Sequence, residues 1–411
     1  MKQRRPRVAY VVSHPIQYQA PLLRKIASSG IDLDVFFLSD YSTHDHRDTE
    51  FGCKVEWDID LVGGYRHTML ACDCKNPPGF FTGNPRDLVR RIWQREFDVV
   101  WVHGWSYMTN LLALIAANLG GVPTLLRGEA RLDVNRAKSA FWNLLYRTLI
   151  SLGSAYLYIG SENRRFYEAY GARDGLLFSM PYCVDNDFFQ MHAARLSSQR
   201  AAMREKWGLH PNRPAILYAG KLTHRKKADC LLDAYARLCK TAADTPPPYL
   251  MYVGDGPLRS ALEDKAAAEQ LGGVRFFGFR NQAELCEFYV MCDVFVLASE
   301  NEPWGLAVNE AMNFARPVIV SDQVGAAADL VSKCDTGFIV KAGDSGELCD
   351  ALHRVLEPSV RDRLGSNALS RINTWSYIRD INGLAEAVCA VLAREQADAT
   401  AISKNTAKRA P

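Results

Sequence analysis

Short runs that are apolar at nearly every position recur along this chain. Each gives way to a polar or glycine-containing turn and then to a helical pattern. RVAYVV at Arg7–Val12 is the first, followed by LDVFFL, DVVWVH at Asp98–His103, PTLLRG, and AYLYIG at Ala155–Gly160. A strand with one face in water alternates apolar and polar side chains. A strand that is apolar throughout is covered on both faces, and the intervening helices, such as the apolar run Leu111–Leu119, provide the cover. The expected class is therefore α/β, with doubly wound parallel sheets.

The pattern pauses between Val184 and Pro214 and then restarts with PAILYAG, PYLMYVGDG, VRFFGF, DVFVLAS at Asp293–Ser299, and RPVIVSD. The chain's 411 residues exceed what one ordinary core organises. Two Rossmann-like domains are expected, at 1–190 and 212–375, facing each other across a cleft. A C-terminal helix at 376–395 is expected to pack back towards the first domain, with a disordered tail at 396–411. Pro246–Pro248 marks a loop within the second domain.

The net charge of +3 is too even to indicate a nucleic-acid partner. The 11 cysteines are scattered, many in apolar runs, as expected of reduced buried thiols rather than a disulfide framework. Cys72 and Cys74, with Cys53 upstream, lack the second pair that zinc sites show, so no metal is expected. There is no apolar run of about 18 residues that would cross a membrane. The start, RVAYVVSHPIQY, turns polar too soon for a signal peptide, so a cytoplasmic protein is expected. The basic MKQRRPR reads either as a solvated tail or as a weak attraction to an anionic membrane surface.

The residues that carry chemistry follow strands. In YAGKLTHRKKADCLL, Gly220 lets the backbone approach a ligand, and Lys221, Arg225, Lys226 and Lys227 place positive charge at the mouth of a helix. This suits a diphosphate, although charge runs are also ordinary solvated surface. YVGDGPL adds a second strand and glycine turn, which is also plain turn chemistry. In SENEPWGLAVNEAM, Glu302 lies in a loop after DVFVLAS, and Glu310 lies in the helix that follows, an E-x7-E separation. Two such carboxylates can hold a hydroxyl-rich ligand. They can equally be a helix N-terminal partner and a surface residue.

Taken in order, Gly220-Lys221-Leu222 with Lys226, Val253-Gly254-Asp255-Gly256-Pro257, and Glu302-Pro303-Trp304-Gly305-Leu306 with Glu310-Ala311-Met312 resemble the nucleotide-binding half of the family 4 retaining glycosyltransferases, which have the GT-B fold. Pro317-Val318, Val324-Gly325 and Gly337–Val340 continue the resemblance, and Val184-Asp185 with Phe188 looks like the family's inter-domain link. It covers Val184 to Trp375 well and the first half less closely, through its strand pattern and Val102-His103.

The resemblance implies a nucleotide-sugar donor as substrate, no cofactor, and a glycan or lipid-linked acceptor. Lys221 and Lys226 would clamp the diphosphate, helped by the Gly305 and Leu306 amides. Glu310 would hold the ribose, while Glu302 and His103 would face the sugar. The usual Cys-Gly before Pro-Val is replaced by Ala315-Arg316, and the usual Gly-Gly followed by Glu by Val324-Gly325 with Asp329. The glycine-rich loop after the first strand is replaced by Ser13-His14-Pro15-Ile16-Gln17. His14 and Gln17 read as polar contacts to an acceptor or as helix-capping residues. Arg127, Glu129 and Arg131 read as an acceptor site or as an ion pair tying down a loop, and Trp105 as a sugar platform or core. Pro77–Phe81 reads as a mobile loop that could touch a hydrophobic acceptor.

The function expected is metal-independent sugar transfer with retention, in surface polysaccharide or glycolipid assembly. The protein would then be cytoplasmic, and peripheral on the inner membrane face if the acceptor is a lipid. The alternatives are a catalytically silent scaffold of the same fold and a nucleotide-sugar epimerase.

Overall fold

A computed structural model describes residues 4–44, 46–47, 54–55, 57–74, 76–132, 139–241 and 246–407. In chain order its strands are Arg7–Val12 (β1), Asp32–Phe37 (β2), His46–Arg47 (β3), Lys54–Val55 (β4), Arg66–Met69 (β5), Val99–His103 (β6), Thr124–Arg127 (β7), Ala155–Tyr158 (β8) and Leu177–Ser179 (β9). Six more follow: Ala215–Ala219 (β10), Tyr249–Val253 (β11), Val274–Phe276 (β12), Val294–Leu297 (β13), Val318–Ser321 (β14) and Gly337–Val340 (β15).

Apart from the antiparallel pair β3–β4, these strands form two parallel sheets, ordered β5-β2-β1-β6-β7-β8-β9 and β12-β11-β10-β13-β14-β15. Each sheet starts in its middle, winds one way, then returns and winds the other. The direction reverses between β1 and β6 in one sheet and between β10 and β13 in the other. A crevice opens at such a reversal, beyond the carboxyl ends of the strands, because the helices on either side diverge there.

The apolar runs fill the two cores as expected. Ala9, Val11, Val100 and Val102 lie in one, and Ile216, Leu250, Val294 and Val296 in the other. Each fully buried Val, Leu or Phe contributes about 1.5–3 kcal/mol relative to exposure. Five strands, β3, β4, β5, β9 and β15, had no strand reading in the sequence. β5 has two exposed positions, and β9 is three residues long, only partly buried, and at a sheet edge.

Two compact units result. Among the described residues, one takes 4–44, 59–181 and 377–407, and the other takes 46–47, 54–55, 57–58 and 182–376. Tyr377–Ala407 is one helix belonging to the first unit. It runs well past Gln396, where a disordered tail was expected. The segment 396–407 contains neither glycine nor proline, so nothing breaks the helix. Its inner face buries Leu384, Ala387, Val388 and Val391. Gly383 lies so close to the Ser179 carbonyl that any Cβ would collide with it. Among the described residues, no helix is long and apolar enough to cross a membrane.

Candidate active site

The loops after β10 and β11 are joined along a seam. Gly220 N–H donates to the Val253 carbonyl (2.9 Å), Leu222 N–H to Asp255 (2.9 Å) and Leu258 N–H to Leu222 (3.0 Å). Gly254 and Gly256 have φ of 131° and 154°. A Cβ at either would strike the backbone carbonyl of Gly220 or Leu222. The Gly-Asp-Gly turn therefore holds the Gly220–Leu222 loop by close backbone contact.

The basic turn beyond Gly220 meets the loop after β13. Glu300 N–H donates to the Arg225 carbonyl (2.8 Å), and Arg225 Nη1 to the Asn301 carbonyl (2.8 Å). Lys227, in the left-handed region at φ 52°, pairs with Glu300 at 3.0 Å. Lys226 Nζ is bonded directly to Glu302 Oε2, both side chains being mostly buried, and Arg225 Nη1 lies 3.9 Å from the same oxygen. The cations expected to cluster are thus divided. Lys226 meets Glu302, whereas Lys227 and Arg225 close the two loops on one another. Lys221 is partly buried, and its carbonyl accepts from the Tyr218 hydroxyl (2.7 Å).

Glu302 is held from behind. Its N–H donates to Gln323 (3.1 Å), its carbonyl accepts from Gly325 N–H (3.0 Å), and the Trp304 carbonyl accepts from Ala326 N–H (3.0 Å). Gly325 passes so near Pro303 that a side chain would clash, which accounts for the Val324-Gly325 step. Trp304 is buried, stacks on Trp375 at 5.5 Å, and donates from Nε1 to Asn309 Oδ1 (2.9 Å). Gly305, at φ 95°, turns the chain into the helix Leu306–Met312.

On that helix Glu310 is partly buried and accepts from the hydroxyl of fully buried Tyr289 (2.7 Å). Burial raises the Glu310 carboxyl to about 7, against the lowering effect of that hydrogen bond. Tyr289 had no signal in the sequence, lying within an apolar helical run. The left-handed residue at the helix's end is Ala315, at φ 54°. The position suited to glycine is therefore Ala315 itself, one residue earlier than the pairing of Cys-Gly with Ala315-Arg316 implied.

In the first unit, the reversal between β1 and β6 brings together Tyr10 and His103. Tyr10 Oη lies 2.8 Å from His103 Nδ1 and 3.1 Å from Gln19 Oε1. Burial, reinforced by the Arg127 charge, lowers His103 to about 3, so it is neutral at ordinary pH. His14 is partly exposed, with Nδ1 3.0 Å from Ser13 Oγ. Gln17 Oε1 is buried without a hydrogen-bond partner. Glu129 is exposed just beyond β7.

Arg127 requires a correction. Its side chain is 2% exposed, with Nη2 donating to the carbonyls of Met180 (2.9 Å) and Pro181 (3.2 Å) and lying 3.6 Å from Asp380. It is an internal strut to the C-terminal helix, unable to present its guanidinium to an acceptor. Trp105 likewise packs in the core, stacked on Phe166 at 5.9 Å and pressed against Gly128.

Among the described residues, one group has metal-like spacing: Asp40, His44 and Asp73. The Asp40 carboxylate already accepts from Cys74 N–H (3.0 Å), His44 (3.0 Å) and Asp73 N–H (2.8 Å). Although burial opposes it, these bonds lower Asp40 to about 2. The cluster reads as a loop tie. Cys53 lies outside the described residues.

The family model "Glycosyl transferases group 1" matches residues 199–371, and "Glycosyl transferase 4-like domain" matches 15–182. The alpha-D-kanosaminyltransferase of Streptomyces kanamyceticus is 30% identical over 181 residues, 44% of this chain and 46% of that protein. A D-inositol 3-phosphate glycosyltransferase of Nocardioides is 30% identical over 192 residues, so the chain spans less than half the length of these two curated relatives. The D-inositol 3-phosphate glycosyltransferase of Frankia alni is 26% identical over 393 residues, covering 89% of this chain and 92% of that one. A glycosyltransferase from Rickettsia africae superposes with a TM-score of 0.72 at 16% identity, covering 95% of this chain and 99% of that chain. Anabaena Alr3699/HepE in complex with UDP gives 0.70 at 19%, covering 93% and 100%.

Proposed function

Since the chain belongs to the group 1 glycosyltransferases and has their GT-B fold, we propose that it transfers a sugar from a nucleotide-sugar donor to an acceptor hydroxyl with retention and without a metal. The observation that carries this reading is the meeting of Lys226 with Glu302, at the reversal between β10 and β13. Glu310 is on the helix that leaves the same loop. A cation, a hydroxyl-binding carboxylate and a second carboxylate in that crevice match the diphosphate, sugar and ribose of one donor.

In this reading Lys221 and Lys226 hold the diphosphate, with the Gly220 turn allowing close approach and the Gly305 and Leu306 amides adding donors. Glu310 accepts from the ribose hydroxyls, and Glu302 orients the sugar. His103 faces the sugar or the acceptor. His14, Gln17 and Glu129 are the acceptor contacts that remain. The bond between the anomeric carbon and the diphosphate breaks, the acceptor oxygen bonds to that carbon on the same face, and the acceptor proton passes to the departing diphosphate. The lysines stabilise the charge that develops on the leaving group.

A glycan or lipid-linked acceptor in polysaccharide or glycolipid assembly fits this scheme, at the cytoplasmic face of a membrane. The helix Ala140–Ser151 supports the lipid option. It exposes Phe141, Leu144 and Leu145, contains no acidic residue, and carries Arg147. An apolar face beside a basic residue suits an anionic bilayer surface.

Thermal melting with UDP, GDP, ADP and UDP-glucose tests the donor site. A nucleotide at about 100 times its Kd should stabilise the protein by about 2.7 kcal/mol. The shift should be lost in Lys226→Ala and Glu310→Ala. Equal shifts in all three proteins, or none with any nucleotide, would refute the assignment.

A further inference from the structure

Tyr10 interrupts the aliphatic run Val8–Val12 of β1, and the donor-site reading makes no use of it. It is 1% exposed and stacked on Trp101 at 3.8 Å, so its ring is fixed. Its hydroxyl has two partners, His103 Nδ1 at 2.8 Å and Gln19 Oε1 at 3.1 Å. Gln19 is also buried, and its Nε2 donates to the Tyr18 hydroxyl (3.3 Å), which leaves Oε1 facing Tyr10. A phenol has one proton. If that proton goes to Gln19 Oε1, the phenol oxygen can only accept from the imidazole.

We propose that Tyr10 and Gln19 are positioning residues that fix His103 as its Nδ1–H tautomer, making Nε2 the hydrogen-bond acceptor of the ring. The direction of the whole row follows from Gln19: amide to Tyr18, Tyr10 to amide, imidazole to Tyr10. Burial keeps both ends of the central link in one protonation state, with Tyr10 raised well above its ordinary range and His103 at about 3. Asn110 Nδ2 donates to the His103 carbonyl (2.8 Å), so the backbone that carries the ring is held separately. On the transferase reading, Nε2 would then accept a hydrogen bond from a hydroxyl of the sugar or of the acceptor. In the other tautomer Nε2–H could only donate to that hydroxyl, so the direction of the bond would be reversed. That last step rests on the proposed function, whereas the tautomer does not.

The test is nitrogen NMR on the full-length protein with 15N-labelled histidine, with no nucleotide present. His103→Gln identifies the His103 signals by their disappearance. The expected wild-type spectrum has a protonated Nδ1 and an unprotonated Nε2 for His103. In Gln19→Met the Tyr10 proton loses its acceptor and turns to Nδ1, so His103 should switch to Nε2–H. In Tyr10→Phe the ring still stacks on Trp101, but the tautomer ratio should fall by about ten-fold, the worth of one hydrogen bond. A wild-type Nε2–H tautomer would overturn the proposal, and so would an unchanged tautomer in both variants. Because no donor is involved, a failed nucleotide shift and a failed relay are separately readable.

Discussion

Lys226 and Glu302 neutralise each other, so a diphosphate must compete with a carboxylate for the ammonium. Glu302→Gln should remove that competition while abolishing transfer. UDP should bind about three- to ten-fold more tightly, the worth of weakening one charge-assisted bond. Titration calorimetry measures this, and unchanged or weaker UDP binding would refute the competition. Glu310 adds a pH dependence with two opposite signs. Its folded pKa, about 7, is above the ordinary glutamate value of 4.5. Its contribution to stability is therefore full below about 4.5 and is lost as pH rises through 7. Ribose hydroxyls need the ionised form as acceptor, so donor affinity should rise across the same window, by about ten-fold per unit below pH 6. Glu310→Gln should flatten both profiles, and a donor affinity independent of pH in the wild type would refute the role. Glu310 could be singled out in the sequence as a candidate, because a carboxylate eight positions after Glu302 and beyond a proline-glycine turn is a local pattern. Tyr289 could not. It lies 21 positions before Glu310 in an apolar run, and no local spacing joins the two.

Among the elements, the strands that lie deep in the sheets could be read from the sequence because burial on both faces leaves an uninterrupted apolar run. The edge strands β5 and β9 could not, being partly exposed and short. The meaning of Gly254 and Gly256 emerged only with the seam between two loops that are distant in sequence. Ala315 shows how a helix end can be stored as strain. A residue with a Cβ in the left-handed region costs about 1–2 kcal/mol, and glycine removes that cost while adding freedom to the unfolded chain. Ala315→Gly should therefore stabilise the second unit by about 0.5–1 kcal/mol, visible as a melting shift of about 2 °C. A lower melting temperature would show that the Cβ contributes packing that outweighs the strain.

For the whole molecule, the chain does not divide at a single linker. The first unit is completed by the last helix, and the second includes Trp57 and Asp58, whose contacts are with Phe279 and the Ala283 amide. Arg127 reads in sequence as an acceptor contact or a local ion pair because its partner, Asp380, is some 250 residues away, and both are buried only once the last helix has docked. This connectivity has a measurable consequence. A chain ending at Ser376 keeps every element of the second unit and all of the donor residues. In the first unit it uncovers β8 and β9 and opens the Arg127 guanidinium to water, where it keeps the Met180 and Pro181 carbonyls. Losing the burial of Leu384, Val388 and Val391 costs about 1.5–3 kcal/mol for each side chain, which for a unit of this size lowers its melting point by at least about 10 °C. Calorimetry of the shortened chain should resolve two transitions, the lower one displaced and the upper one still raised by UDP. If a single transition moves as a block, or if UDP no longer shifts the upper one, the two units are one cooperative body and the last helix supports the donor half as well.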